Sequence, residues 1–413
     1  MKLKSLTSIK TDDFIFCLYC MAYMALTVLP MIKYSVSYVI AGSFCLIPVA
    51  LSFLKFPERR LGIFIIAVSG VVCGLFSWLL SNAELKEIAN TTINYLRFFM
   101  PCLLLAVISK MSGKVRWVVW LFATLLLLFV AWKTLSAIDS NETVARILAA
   151  GYSDDKLDKY RMDNVGGFGF CYAAGFTFPL WISVVADNKR WVKVFAVLLA
   201  IATFYFVLKA QYMILLILCV FAVLLAIMSH PGNALRKLFG LMLVLAVLIS
   251  MPFILKALMR FDLGSQVSKK IGNIASFLDG STAIQSVSSR IGKYTAAFNE
   301  FIRSPVWGTV SSQQAGICHS TWLRLGCTTG FFGIFSYIAV LTVSYQVVSG
   351  VFNKYRLIKA PFIITFITLI VLAFVNPVDY SYEISFVIFF FVPLTMLLFG
   401  KKKEGKENAE LGA

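Results

Sequence analysis

The feature that most limits what this chain can fold into is the recurrence, along almost its whole length, of apolar runs long enough to cross a bilayer. A helix spanning the hydrocarbon core needs about 20 mostly apolar residues, and about twelve such runs follow one another. They fall at 14–31, 34–54, 61–81, 94–109, 116–135, 164–186, 191–208, 210–228, 238–257, 319–348, 358–376 and 381–400. The fourth is short and opens near Arg97, and almost nothing but Lys209 separates the seventh from the eighth. With 60% hydrophobic and only 14% charged residues among 413, a soluble multidomain architecture is excluded.

The formal net charge of +18 would suggest a nucleic-acid partner in a soluble protein. Its distribution says otherwise. An even number of spans puts both termini on one side, and basic residues mark that side as cytoplasmic. Lys2, Lys4 and Lys10, then Lys55, Arg59 and Arg60, Lys110, Lys114 and Arg116, and so on to Lys401–Lys403 and Lys406, place 21 basic against 7 acidic residues there. The opposite face holds 15 and 13, with Arg97 and Arg324 inside spans. Most of the surplus is therefore topological anchoring, and no nucleic acid is expected as a partner.

The first apolar run lacks a small-residue cleavage site and reads as a retained helix rather than a signal peptide. Cys17 and Cys20 form a CxxC on a lipid-embedded helix without further ligands, so most of the nine cysteines read as small buried hydrophobes. The expected organisation is one transmembrane domain over 1–400 and a disordered cytoplasmic tail over 401–413.

Polar residues gather in two outer loops, about 136–163 and 258–318. In the second, Ile291, Tyr294, Phe298 and Ile302 recur at helical spacing with Lys293, Asn299, Glu300 and Arg303 opposite them, and Ser304-Pro305 ends the run. This predicts an amphipathic helix at the membrane surface or across the bundle mouth. The first loop is acidic at Asp154, Asp155 and Asp158 and ends on Arg161 at the start of the sixth span.

Of the two histidines, His230 lies in a cytoplasmic turn, whereas His319 stands where the long outer loop re-enters the membrane, so its imidazole titrates at the boundary. Ionisable groups at membrane depth line cavities, pair, or bind charged ligands. Arg161, Arg290, Arg324 and Lys209 all lie on the outer side, a set suited to a diphosphate because guanidinium forks make bidentate contacts to phosphate oxygens. No P-loop, outer DxD, HExxH or nucleophile elbow is present.

The stretch reading Ser288-Ser289-Arg290, Tyr294, Phe298, Phe301, Ser304-Pro305, Gly308, His319-Ser320, Leu323, Gly330 and Gly333 resembles the signature of the O-antigen polymerase and O-antigen ligase superfamily of bacterial envelope glycosyltransferases. A second match runs from Arg161 through Gly166-Gly167 to Gly175. The resemblance implies an all-α polytopic bundle of the membrane glycosyltransferase C class, with a large periplasmic loop, in the bacterial inner membrane. It implies a donor glycan on undecaprenyl diphosphate, inversion at the anomeric carbon, and neither metal nor cofactor. Arg290 and Arg161 would stabilise the leaving diphosphate, His319 would act as base toward the acceptor hydroxyl, and Asp379, with Glu383 nearby, would orient the imidazole or bind sugar. Where many family members carry a Ser-Arg or Thr-Arg pair, this chain reads Lys209-Ala210-Gln211-Tyr212, a point charge in place of a fork.

A polymerase would take another lipid-linked glycan as acceptor, and a ligase lipid A-core oligosaccharide. The His-Ser start with Trp322-Leu323 favours the polymerase, with a chain-length regulator as a further candidate partner beside membrane lipids. A flippase of the same lipid-linked glycan is the competing class. It is disfavoured by unequal outer loops and the lack of repeated halves.

Overall fold

The computed structural model describes residues 11–36, 60–81, 85–141, 155–187, 190–210, 285–309, 320–352, 359–378 and 381–399, with isolated positions between these segments. Among the described residues every regular element is helical: α1 (Thr11–Val28), α2 (Pro30–Ser35), α3 (Arg60–Ser81), α4 (Leu85–Ile108), α5 (Gly113–Ser140), α6 (Asp155–Met162), α7 (Phe168–Phe176), α8 (Phe178–Asp187), α9 (Arg190–Ala210), α10 (Gln285–Arg303), α11 (Thr321–Val351), α12 (Lys359–Val375), α13 (Tyr382–Phe386) and α14 (Val392–Phe399). A π-helical turn, Val387–Phe391, joins the last two.

Five helical stretches are long and apolar enough to cross a membrane: Gly113–Ser140, Phe168–Val185, Arg190–Ala210, Thr321–Val351 and Tyr382–Phe399. Three shorter apolar ones, Asp13–Val28, Arg97–Ile108 and Pro361–Val375, accompany them. The chain is a helical membrane protein. Helix is the form such segments must take, because in hydrocarbon every backbone N–H and C=O has to be satisfied within the chain. Each predicted span that falls on described residues coincides with a helix. The runs 34–54, 210–228 and 238–257 lie largely outside the described residues, as do most of the loop before residue 285 and the tail 401–413.

Two helices sit at the centre. In the C-terminal pair and its π turn, Phe386, Ile388, Phe389, Phe390 and Leu394 are wholly buried, packed on α4, α7 and α11. Two cross-helix hydrogen bonds fix this core. Trp120 Nε1 donates to Thr395 Oγ1 at 2.9 Å, and the Ser385 hydroxyl donates to the Phe98 carbonyl.

The amphipathic helix expected in the large loop is α10, and it ends at Arg303, immediately before Ser304-Pro305 as predicted. Its buried edge is narrower than the apolar stripe in the sequence. Ala297 meets Cys327 of α11, whose Sγ donates to the Ala297 carbonyl at 2.9 Å, while Ile291, Phe298 and Ile302 stay exposed. A run of ring contacts leads from Phe298 through Phe301 to Phe331 and Phe335 on α11.

The turn after α10 explains two glycines. Gly308 and Gly330 both hold left-handed backbone, φ 73° and 61°, and each presses backbone to backbone against the other's segment. A Cβ on Gly308 would stand 2.5 Å from Thr329 N, and one on Gly330 would stand 2.4 Å from Val306 O. Thr309 N–H donates to the Cys327 carbonyl at 2.5 Å and Phe331 N–H to the Pro305 carbonyl at 2.8 Å. The loop is thus latched into a break in α11 that only glycine accommodates at both contacts.

Candidate functional site

The Ser320-Thr321 start of α11 is tied to the turn after α12. Ser320 Oγ caps the helix, accepting from Leu323 N–H at 3.4 Å, and donates to the Ala373 carbonyl. The Thr321 hydroxyl donates to the Asn376 carbonyl at 3.1 Å and accepts the Val378 N–H at 2.9 Å. Asn376 Nδ2 in turn donates to the Tyr172 hydroxyl at 3.2 Å, one turn into α7. The Ser320-Thr321 start of α11, the turn 376–378 and the helix that follows Gly166-Gly167 therefore meet.

At the N-terminus of α7 the chain makes a tight approach. Asn164 has φ 59° and its side chain accepts Met31 N–H at 3.1 Å, which joins the segment after α6 to α2. Gly166 N–H donates to Thr134 Oγ1 of α5 at 2.8 Å. Arg161, on the last turn of α6, lies with its guanidinium 4.2 Å from the centre of the Tyr34 ring and pairs with exposed Asp158 at 3.1 Å.

Tyr34 leads to cations that the sequence placed only by topology. Lys33 Nζ is 2.5 Å from Glu383 Oε1, with both side chains largely buried. Lys33 also stands 5.4 Å from the Tyr34 ring and 5.7 Å from Tyr382. On that second ring rests Arg97, its guanidinium carbon 3.8 Å from the centroid and the residue 8% exposed. Stacking of this kind is the arrangement guanidinium groups favour over aromatic faces. The geometry of α4 prepares it. Pro101 removes the N–H that would close on the Arg97 carbonyl, and the Ser385–Phe98 bond holds the next residue against α13.

Burial alone would push the Lys33 ammonium down, since desolvation disfavours charge. The adjoining Glu383 carboxylate and its hydrogen bond outweigh that and Arg97's repulsion, and hold the amine above its ordinary value. Three cations, Lys33, Arg97 and Arg161, are thus linked through Tyr34 and Tyr382 around one buried carboxylate.

Of the residues selected from sequence, Arg161 belongs to this cluster. Lys209, on the last turn of α9, pairs with Asp139 at 3.4 Å with both side chains well exposed. Arg324 lies one turn into α11, its N–H bonded to the Ser320 carbonyl at 3.0 Å. The Arg290 side chain, His319 and Asp379 lie outside the described residues. Sequence reasoning does not select Lys33 or Arg97 as site residues, and it brings in Glu383 only as a neighbour of Asp379. The available signal was that Arg97 and Glu383 are opposite charges inside predicted spans, each near an outer end.

A cavity of about 180 Å³ opens beside the cluster, lined by Lys33, Tyr34, Phe168, Gly169, Ser381 and Glu383 among others. A second, of about 230 Å³, is apolar, bounded by Leu127, Ala131, Trp132, Trp181 and Phe206 of α5, α8 and α9. The described residues hold no group of three or more His, Cys, Asp or Glu arranged for a metal. No family model and no curated protein matches the chain. Fold and site together define a helical membrane protein with a buried cationic cluster where several helix ends meet.

Proposed function

We propose that this chain is a membrane glycosyltransferase that polymerises glycan repeat units carried on undecaprenyl diphosphate, acting at the outer face of a bacterial inner membrane. In this reading the bundle has twelve spans with both termini cytoplasmic, a topology the charge distribution favours. The observation that supports the proposal is the linkage of Arg161, Lys33 and Arg97 through Tyr34 and Tyr382 around Glu383. Of the residues that resemble the polymerase and ligase signature, Arg161 belongs to that cluster.

The chemistry is an inverting displacement. An acceptor hydroxyl oxygen attacks the anomeric carbon, the bond from that carbon to the diphosphate oxygen breaks, and its electron pair leaves on undecaprenyl diphosphate. His319 takes the hydroxyl proton. Charge developing on the bridging oxygen is met by Arg161 and Arg290, with Arg97 and Lys33 supplying field from within the bundle, where low dielectric strengthens each contact. The apolar cavity between α5 and α9 offers room for an isoprenoid unit.

Purified protein in nanodiscs supplied only with lipid-linked repeat units tests the proposal. Longer lipid-linked chains, absent with Arg161→Ala, are the expected result. Product appearing only after lipid A-core is added would make the chain a ligase. Normal transbilayer movement of the same lipid without any glycosidic bond formed would make it a flippase.

A further inference from the structure

The cavity beside α7 contains a polar atom whose bonding capacity is unused. Glu383 is 7% exposed. Its Oε1 takes the Lys33 ammonium at 2.5 Å, whereas Oε2 is buried and has no hydrogen-bond partner among the described residues. A carboxylate offers about four acceptor positions, and a buried oxygen without a donor is unfavourable enough to require an explanation.

The surroundings point to what is missing. Opposite Oε2 the chain carries Gly169, where a Cβ would stand 2.8 Å from Oε2 and 3.4 Å from Ser381 Oγ. Absence of that side chain is what leaves room before the carboxylate. The same cavity presents the rings of Tyr34 and Phe168, the Ser381 hydroxyl and the Lys33 ammonium. An anion would be repelled by the carboxylate at such close range. A cation would compete with an ammonium already 2.5 Å away. A neutral ring bearing several hydroxyls meets neither objection. It donates to Oε2, accepts from Ser381 or Lys33, and lays its C–H faces on the aromatic rings. At about 180 Å³, the space is smaller than the roughly 300–1,000 Å³ of drug-sized pockets, and suits a single sugar unit.

We infer that this cavity is a monosaccharide subsite in which Glu383 Oε2 accepts a hydroxyl of one sugar of the lipid-linked glycan, with Gly169 keeping the space open. Lys33 and Glu383 then act as a unit, the ammonium fixing the carboxylate so that one oxygen faces the sugar. The inference rests on the glycosyltransferase reading for its ligand, but sugar binding is measurable without turnover.

The test is saturation-transfer NMR on the full chain in nanodiscs, with methyl glycosides of glucose, galactose and N-acetylglucosamine as probes. The wild type is expected to transfer saturation to at least one of them. Glu383→Gln and Gly169→Ala, the second leaving the ion pair's own residues in place, are expected to weaken that binding about tenfold, the equivalent of one charge-assisted hydrogen bond. Gel filtration and thermal melting identify which variants are folded. If Glu383→Gln does not fold, Lys33→Met with Glu383→Leu removes both charges together and takes its place. No transfer to any probe in the wild type, or equal transfer in wild type and all folded variants, overturns the subsite. A wild type that binds a glycoside, loses it in the variants and makes no polymer retains the subsite and overturns the glycosyltransferase reading instead.

Discussion

Two lysine–carboxylate pairs in the molecule make opposite use of the same chemistry. Lys33–Glu383 is short, 2.5 Å, with side chains 16% and 9% exposed, and lies against Tyr34 and Tyr382 beside Arg97. Lys209–Asp139 is looser, 3.4 Å, with side chains 43% and 62% exposed. In water an ion pair adds little, because both partners are solvated before they meet. Inside a helix bundle the partners cannot be separated without stranding a charge, so the pair constrains everything packed around it. The difference teaches that two ion pairs of the same chemistry are distinguished by depth and by what packs around them.

Breaking the buried pair on one side should have the largest effect. Glu383→Ala leaves the Lys33 ammonium buried opposite Arg97, and a loss of about 3–5 kcal/mol is expected from unfolding in mixed detergent. Replacing both, Lys33→Met with Glu383→Leu, should recover most of that stability. A double-mutant cycle in which the two single losses simply add would contradict the coupling claimed here.

The pH dependence of the same pair sharpens the contrast. Because Glu383 holds the folded-state amine above its ordinary value of 10.5, the contribution of Lys33 is fully present below pH 10.5 and is lost only as pH rises through the higher folded value. The stability difference between wild type and Lys33→Met should therefore be flat through neutrality and fall only in strong alkali. A fall between neutrality and pH 10 would show that the ammonium is not held as described.

Lys209→Ala is the smallest of the three, with an expected cost of about 0–1 kcal/mol. Raising salt from about 0.15 M to 1 M should erase what remains, since the screening length shrinks from about 8 Å to 3 Å. The Lys33–Glu383 coupling should survive that change. Equal salt sensitivity at the two pairs would remove the distinction between them.

Much of the architecture was legible as apolar runs, because a membrane leaves helices as the only way to satisfy the backbone of such segments. What hydropathy did not reveal was which run lies inside. Arg190–Ala210 and Tyr382–Phe399 are comparably apolar, yet 22% of the first is buried within the protein and 83% of the second. Lipid and protein interior reward the same side chains, so only polar details separate them: Ser385, Thr395 and Glu383 mark the buried helix. The break at Thr177, between α7 and α8, and the kink at Gly330 fell inside runs that read as continuous.

The site was legible in the same partial way. Arg161 stood out because it opens a span, and α10 and its Ser304-Pro305 stop followed from spacing. Lys33 occupied a connection of only two residues between predicted spans and counted as topology. Gly308 and Gly330 were visible as a pattern, but their reason, mutual backbone contact between a loop and a broken helix, is a tertiary fact.

The most direct test compares the two regions by turnover. With purified protein and lipid-linked repeat units, kcat/KM should fall about 100-fold or more in Arg97→Ala, the scale of losing one preorganised donor of charge stabilisation. It should stay within about threefold of wild type in Lys209→Ala, as expected where an exposed pair is lost. Full activity in a folded Arg97→Ala together with loss in Lys209→Ala would contradict the account.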